Sequence, residues 1–121
     1  MRGLTEEERQ AIVTLAAELK SDQEREQLMV DITHCAVEER TPDGSLLTFI
    51  IPGYERPAGH KQSSYRGKNG FPVEGSMRDA DDAEMSVYLF ADGNRRIYEF
   101  ELHKHAIGEV IKPDWSTFRA R

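Results

Sequence analysis

The sequence predicts an α+β domain, and three observations carry that prediction. Thr5 followed by Glu8 forms a capping box that opens a helical stripe of apolar residues. Val30 to Ile51 reads as a β-hairpin about a Thr-Pro-Asp-Gly turn, and Met85 to His105 reads as a second about Asp-Gly-Asn. The expected architecture is an N-terminal helix or helix pair packed on a twisted antiparallel sheet of two β-hairpins.

Ile12, Leu15, Ala16 and Leu19 recur at helical spacing after the capping box, so a helix is expected from Glu6 to Lys20 with one face docked. Ser21 or Asp22 can cap a second, shorter helix running through Leu28 and Met29. In the first hairpin Thr33, Cys35 and Val37 alternate with Ile32, His34 and Ala36. Pro42 presets φ for the turn, Gly44 can take its left-handed position, and Leu46 to Ile51 is apolar enough for a central strand. In the second hairpin Val87, Leu89 and Ala91 alternate with Ser86, Tyr88 and Phe90. On its return strand Tyr98, Phe100 and Leu102 face one way, while Ile97, Glu99, Glu101, His103 and His105 face the other.

Between the hairpins, residues 53–75 carry five glycines with Pro57 and Pro72 and no sustained period, the pattern of a long loop. Arg56, Lys61, Arg66 and Lys68 outnumber Glu55 and Glu74, so this segment is basic within an acidic chain. Residues 77–84, MRDADDAE, read as a solvated acidic turn that lacks the glycine and closing glutamate of a calcium loop. Beyond His105, Val110, Ile111, Trp115 and Phe118 are expected to pack and tie down a C-terminal extension in which Pro113 breaks regular structure. The chain is thus read as one domain over 1–121: helical to 30, hairpin 31–52, loop 53–75, hairpin 85–105, extension 106–121.

Composition narrows the function classes. At 121 residues the chain can bury one core without covalent staples. The lone Cys35 has no internal disulfide partner, so nothing demands an oxidising compartment. There is no run of about 18 apolar residues to span a membrane. The opening MRGLTEEERQ lacks the order of a signal peptide, which leaves the cytoplasm as the expected location. A net charge of −6 disfavours a broad electrostatic grip on nucleic acid and suits a basic protein partner.

The row Glu99, Glu101, His103, His105 is the strongest candidate for chemistry. Exposed, it is an acidic recognition strip. Covered, His103 and His105 at i and i+2 can share a metal, with Glu101 or Glu99 as oxygen ligand and a third ligand from His34 or His60. A glycosidase-like carboxylate pair lacks the aromatic surface of a sugar cleft, and Cys35 beside His34 is no dyad because strand neighbours face opposite ways. Phosphate-loop and nucleophile-elbow motifs are missing, so an enzyme is disfavoured and no cofactor is expected.

The stretch Asp79 to Asp114, with its acidic turn, Asp-containing hairpin and Tyr-Glu-x-Glu strand, resembles the C-terminal region of small uncharacterised bacterial α+β proteins, some of the immunity-protein type. Leu4 to Ile12 resembles their opening helix. The resemblance implies an inhibitor-like role without catalytic residues. The leading expectation is a non-enzymatic module that neutralises a basic toxin, with Glu99, Glu101, Asp81 and Asp82 pairing to Lys or Arg and with Tyr54, Tyr65 and Arg66 as contact residues. The alternatives are a metal-binding protein or small metal-dependent hydrolase using His103 and His105, and a small-anion-binding domain gated by the 53–75 loop.

Overall fold

The computed structural model describes residues 1–57 and 70–121. Helices α1 (Glu6–Ala16) and α2 (Asp22–His34) precede strands β1 (Ala36–Glu39), β2 (Leu46–Ile50), β3 (Gly70–Arg78), β4 (Glu84–Ala91), β5 (Ile97–Lys104) and β6 (Asp114–Ala120). These strands form one curled six-stranded sheet in the order β1-β2-β5-β4-β3-β6, with every pairing antiparallel. The α+β class is as the sequence predicts, but the sheet is larger than two hairpins.

Local chemistry sets both helix starts. Thr5 accepts from the Glu8 amide at 3.1 Å while the Glu8 carboxylate accepts from the Thr5 amide at 2.9 Å, the reciprocal capping box. Arg2 adds two further hydrogen bonds to Glu8 at 2.8 Å. α1 stops at Ala16 rather than Lys20, because the Glu18 and Leu19 amides bond three residues back and tighten the last turn, which swings Leu19 into the core. Ser21 then caps α2 through the Glu24 amide at 3.1 Å.

α2 runs to His34, so the residues expected to open the first hairpin are helical, and the strand is only Ala36–Glu39. Asp31 supplies the reason. Its carboxylate is buried and receives Arg96 at 2.8 and 2.9 Å, a tertiary tie that holds the last helical turn against the β-leaning pattern around it.

The helices cover one face of the sheet. Paired residues share a face, so Val37 opposite Phe49, Leu47 opposite Phe100, Phe100 opposite Leu89 and Leu102 opposite Val87 build continuous apolar rows across the strands. Ile12, Leu15, Leu28 and Ile32 pack on these rows from the helices. Trp115 stacks on Phe100 with ring centroids 6.5 Å apart, the anchoring role expected of it.

Two strands lie where the sequence reads loop or extension. β3 occupies the end of the 53–75 segment, and β6 follows Pro113, which precedes the strand rather than breaking it. Gly75 is needed for their union: a Cβ there would sit 2.7 Å from the Phe118 ring and 3.1 Å from the Arg119 carbonyl. In β6 the register jumps between Ser76–Arg119 and Arg78–Asp114, and the Thr117 hydroxyl takes the place of a backbone acceptor for the Arg78 amide at 2.9 Å.

Asp92, at the β4–β5 turn, has a fully buried side chain that accepts from Tyr54 at 2.6 Å, from Arg56 at 2.9 Å, and from the amides of Asn94 and Arg96 at 2.9 and 3.0 Å. The left-handed position of this turn falls on Arg95 (φ 60°), not on Gly93 or Asn94. Arg56 continues to the carbonyls of Phe49 and Ile97 at 2.7 and 2.8 Å, tying β2 to β5 beyond their ladder.

Asp92→Ala leaves Arg56 and the Tyr54 hydroxyl without their buried acceptor and is expected to cost about 3 to 5 kcal/mol, read by denaturant titration. Gly75→Ala forces Phe118 outward at an expected cost of about 1 to 3 kcal/mol, with a loss of near-ultraviolet signal from Trp115.

Candidate functional site

The face turned away from the helices carries three transverse rows. The first joins Glu38, Thr48, Glu99 and Phe90, the second Leu46, Glu101, Tyr88 and Glu74, and the third His103, Ser86, Ser76 and Arg119. Phe90 is buried yet stands apart from the main core cluster, as expected for a residue on this second face.

The exposed and covered readings of the Glu99 to His105 row divide by residue. Glu99 and Glu101 are buried, at 6% and 7% exposure, whereas His103 and His105 are exposed. Alternation assigns the face correctly for these residues, but β5 lies inside the sheet between β2 and β4, so both carboxylates are flanked on each side. Glu99 Oε1 is buried and has no hydrogen-bond partner among the described residues, an expensive arrangement for a carboxylate. Ile97 departs from the alternation: a bulge between Phe90 and Ala91 turns it into the core.

His103 and His105 share a face with ring centroids 5.9 Å apart. Among the described residues no third metal-ligating side chain completes a site with them; His34 does not join, and His60 lies outside the described residues. His105 Nε2 is 2.8 Å from the buried Ser86 hydroxyl, and the His103 ring lies 6.4 Å from Tyr88. Burial raises the Cys35 thiol above its usual range, so it is a poor nucleophile.

The other expected contact residues divide. Tyr54 is part-buried in the Asp92 network, accepting from Asn94 at 3.1 Å with the Arg96 guanidinium 4.2 Å over its ring, so its role is internal. Tyr65 and Arg66 lie outside the described residues. Asp81 and Asp82 are exposed as expected, yet each has an internal partner: Lys104 at 2.9 Å for Asp81 and Arg78 at 2.9 Å for Asp82.

Next to them sits a residue the acidic-turn reading misses. Asp79 is buried and receives Lys104 at 2.8 Å together with the amides of Ala80, Ile111 and Lys112 at 2.7 to 2.8 Å. Asp43, from the β1–β2 turn, takes the Val110 amide at 2.9 Å, and Lys104 donates to the Glu109 carbonyl at 3.0 Å. The connection between β5 and β6 is therefore pinned at Glu109 to Lys112, while Ile107 is fully exposed and Ile111 largely so. A run of aspartates opening a turn is the only local signal for this arrangement, because Lys104 comes from the end of β5.

Residues 1–114 match a family model described as Domain of unknown function (DUF6984). The chain belongs to this family. No curated protein and no solved structure matches it. No helix among the described residues is long and apolar enough to cross a membrane.

Burial pushes the Asp79 and Asp43 carboxyls up, but their hydrogen bonds outweigh it. Lys104 and the Ile111, Lys112 and Ala80 amides lower Asp79, while the Val110 amide, Ser45 and Thr41 lower Asp43, each from 3.8 to about 2. A folded-state pKa below the unfolded one adds stability that is complete above the unfolded value and is lost as pH falls toward the folded one. Stability is expected to decline between about pH 4 and pH 2. An Asp43→Asn, Asp79→Asn double variant should be less stable at neutral pH and decline less steeply in acid, followed by Trp115 fluorescence in denaturant series at each pH.

Proposed function

We propose that this chain is a non-enzymatic protein-binding module for a basic partner, acting in the cytoplasm in the manner of an immunity protein that covers a toxin's active site. The observation that carries the reading is the pinned 105–113 connection. Asp43, Asp79 and Lys104 fix the backbone from Glu109 to Lys112 and hold Ile111 out of the core, while Ile107 stands fully exposed between this stretch and the backbone bond from His105 to Glu84. A rigid apolar projection loses little conformational freedom when it enters a partner's pocket, which is the property of an interface anchor.

Charge supports the same end of the sheet. Lys104 holds the Asp81 carboxylate and the Glu109 backbone carbonyl, and the Glu84 carbonyl accepts from the His105 amide at 2.9 Å, so the exposed residues Glu84 and Glu109 give this end of the sheet an acidic rim. Such a rim steers a Lys- or Arg-rich surface and excludes acidic ones. Of the residues expected to serve recognition, Asp81 and Asp82 keep that role here; Glu99 and Glu101 lie on the sheet's buried second face.

The test is affinity capture from the native host, followed by kinetics with the captured protein. A basic protein is expected, bound at least about thirtyfold more weakly by Ile107→Asp. It should also associate about tenfold more slowly with a Glu84→Lys, Glu109→Lys variant at low salt, the difference closing as salt is raised. Capture that is indifferent to both variants, or confined to acidic proteins, would overturn the reading.

A further inference from the structure

A groove of about 360 Å³ runs between α1 and β6, lined by Glu6, Glu7, Gln10 and Thr14 from the helix and by Trp115 and Phe118 from the strand. Both rings are half-buried and held from inside. Trp115 stacks on Phe100 with the ring planes 16° apart, and Phe118 lies so close over Gly75 that no Cβ fits between them. The aromatic wall is therefore in place before anything binds, which reduces the ordering that binding requires.

The charges on its lining choose the ligand class. Glutamates open α1, and of these Glu8 is engaged by the capping box and by Arg2. Glu6 gives one oxygen to Gln10 at 3.0 Å, and neither Glu6 nor Glu7 has an ion-pair partner among the described residues. No cation lines the groove among these residues either. Two open carboxylates beside two aromatic rings repel an anion and attract a cation. A planar guanidinium satisfies both at once, since its face stacks on a ring while its fork of donors pairs with a carboxylate.

We propose that this groove receives an arginine side chain of a protein partner, its guanidinium held between the Trp115 and Phe118 rings and the Glu6 and Glu7 carboxylates. The proposal rests on the reading of the chain as a module for a basic partner and adds a second contact to it. Trp115 follows the 105–113 connection in the chain, and the two contacts differ in kind: an apolar projection that enters the partner, and a groove that the partner enters.

Acetyl-Gly-Arg-Gly-amide and its lysine and citrulline counterparts, titrated into the isotopically labelled chain, are read by NMR at the indole N–H of Trp115, the single tryptophan. The arginine peptide is expected to bind about threefold more tightly than the lysine peptide and at least about tenfold more tightly than the uncharged citrulline peptide. A Glu6→Gln, Glu7→Gln variant should lose the preference over citrulline; both side chains are exposed and outside the capping box, so it should stay folded. A Glu18→Gln, Glu26→Gln variant, with the same loss of charge at exposed positions outside the groove, should keep the preference. Equal binding of citrulline or of lysine, a preference unchanged in the first variant or lost in both, or no binding of the arginine peptide overturns the proposal. Peptide binding needs no captured partner, so the two readings fail separately. If the arginine peptide does not bind while Ile107→Asp still weakens a captured basic protein, the groove is refuted and the module stands; if the peptide binds and no basic protein is captured, the module is refuted and the arginine site stands.

Discussion

The burial of the Asp92 carboxylate is the constraint on which the architecture turns. A charge withdrawn from water at the end of a sheet is tolerable only if nearly every lone pair is used, and here a phenol, a guanidinium and two backbone amides use them. Satisfying Asp92 positions Arg56, which reaches the carbonyls of β2 and β5. It also positions Arg96, which leaves the same turn to grip Asp31 on α2. Helix, sheet and the segment after β2 are thereby fixed relative to one another by one side chain and the two arginines around it.

Aspartate recurs in this role at the opposite end of the sheet. Asp43 and Asp79 each lie in a turn, bond backbone amides a residue or two ahead, and then accept from the β5–β6 connection. The short side chain suits the task, because it can satisfy its own turn and still present a lone pair to another segment. The acidity of the chain is thus partly structural: several of its carboxylates are consumed in holding turns together and contribute little to the outward field.

What could be read in the sequence was what neighbouring residues decide among themselves. The capping box at Thr5 and Glu8 and the alternation of Met85 to His105 needed only a few residues in a row and are present in the fold. The end of α2 depends on Arg96, distant in sequence, and β3 is disguised by Gly70, Pro72 and Gly75, which serve a bulge and the approach of Phe118. The candidate site was legible in the same measure. Alternation placed Glu99, Glu101, His103 and His105 on one face, but the burial of Glu99 and Glu101 depends on how the strands pair, and non-local pairing is not encoded in alternation. A cavity of about 650 Å³ lined by Phe71, Val73, Tyr88 and Phe90 lies where the β3–β4 register shifts, and it was hidden along with β3.

The irregular register of β6 has a consequence for the protein's life in a crowded solution. An outermost strand with a straight row of free amides and carbonyls is a template on which another chain can add itself. In β6 the extra residues between the Ser76 and Arg78 pairings bend that row, Asp114 bonds Ser116 rather than leaving its groups outward, and Thr117 turns inward. At the other margin Arg2 bridges to Val37 and occupies part of β1. Both margins are thus poor nuclei for strand-by-strand growth.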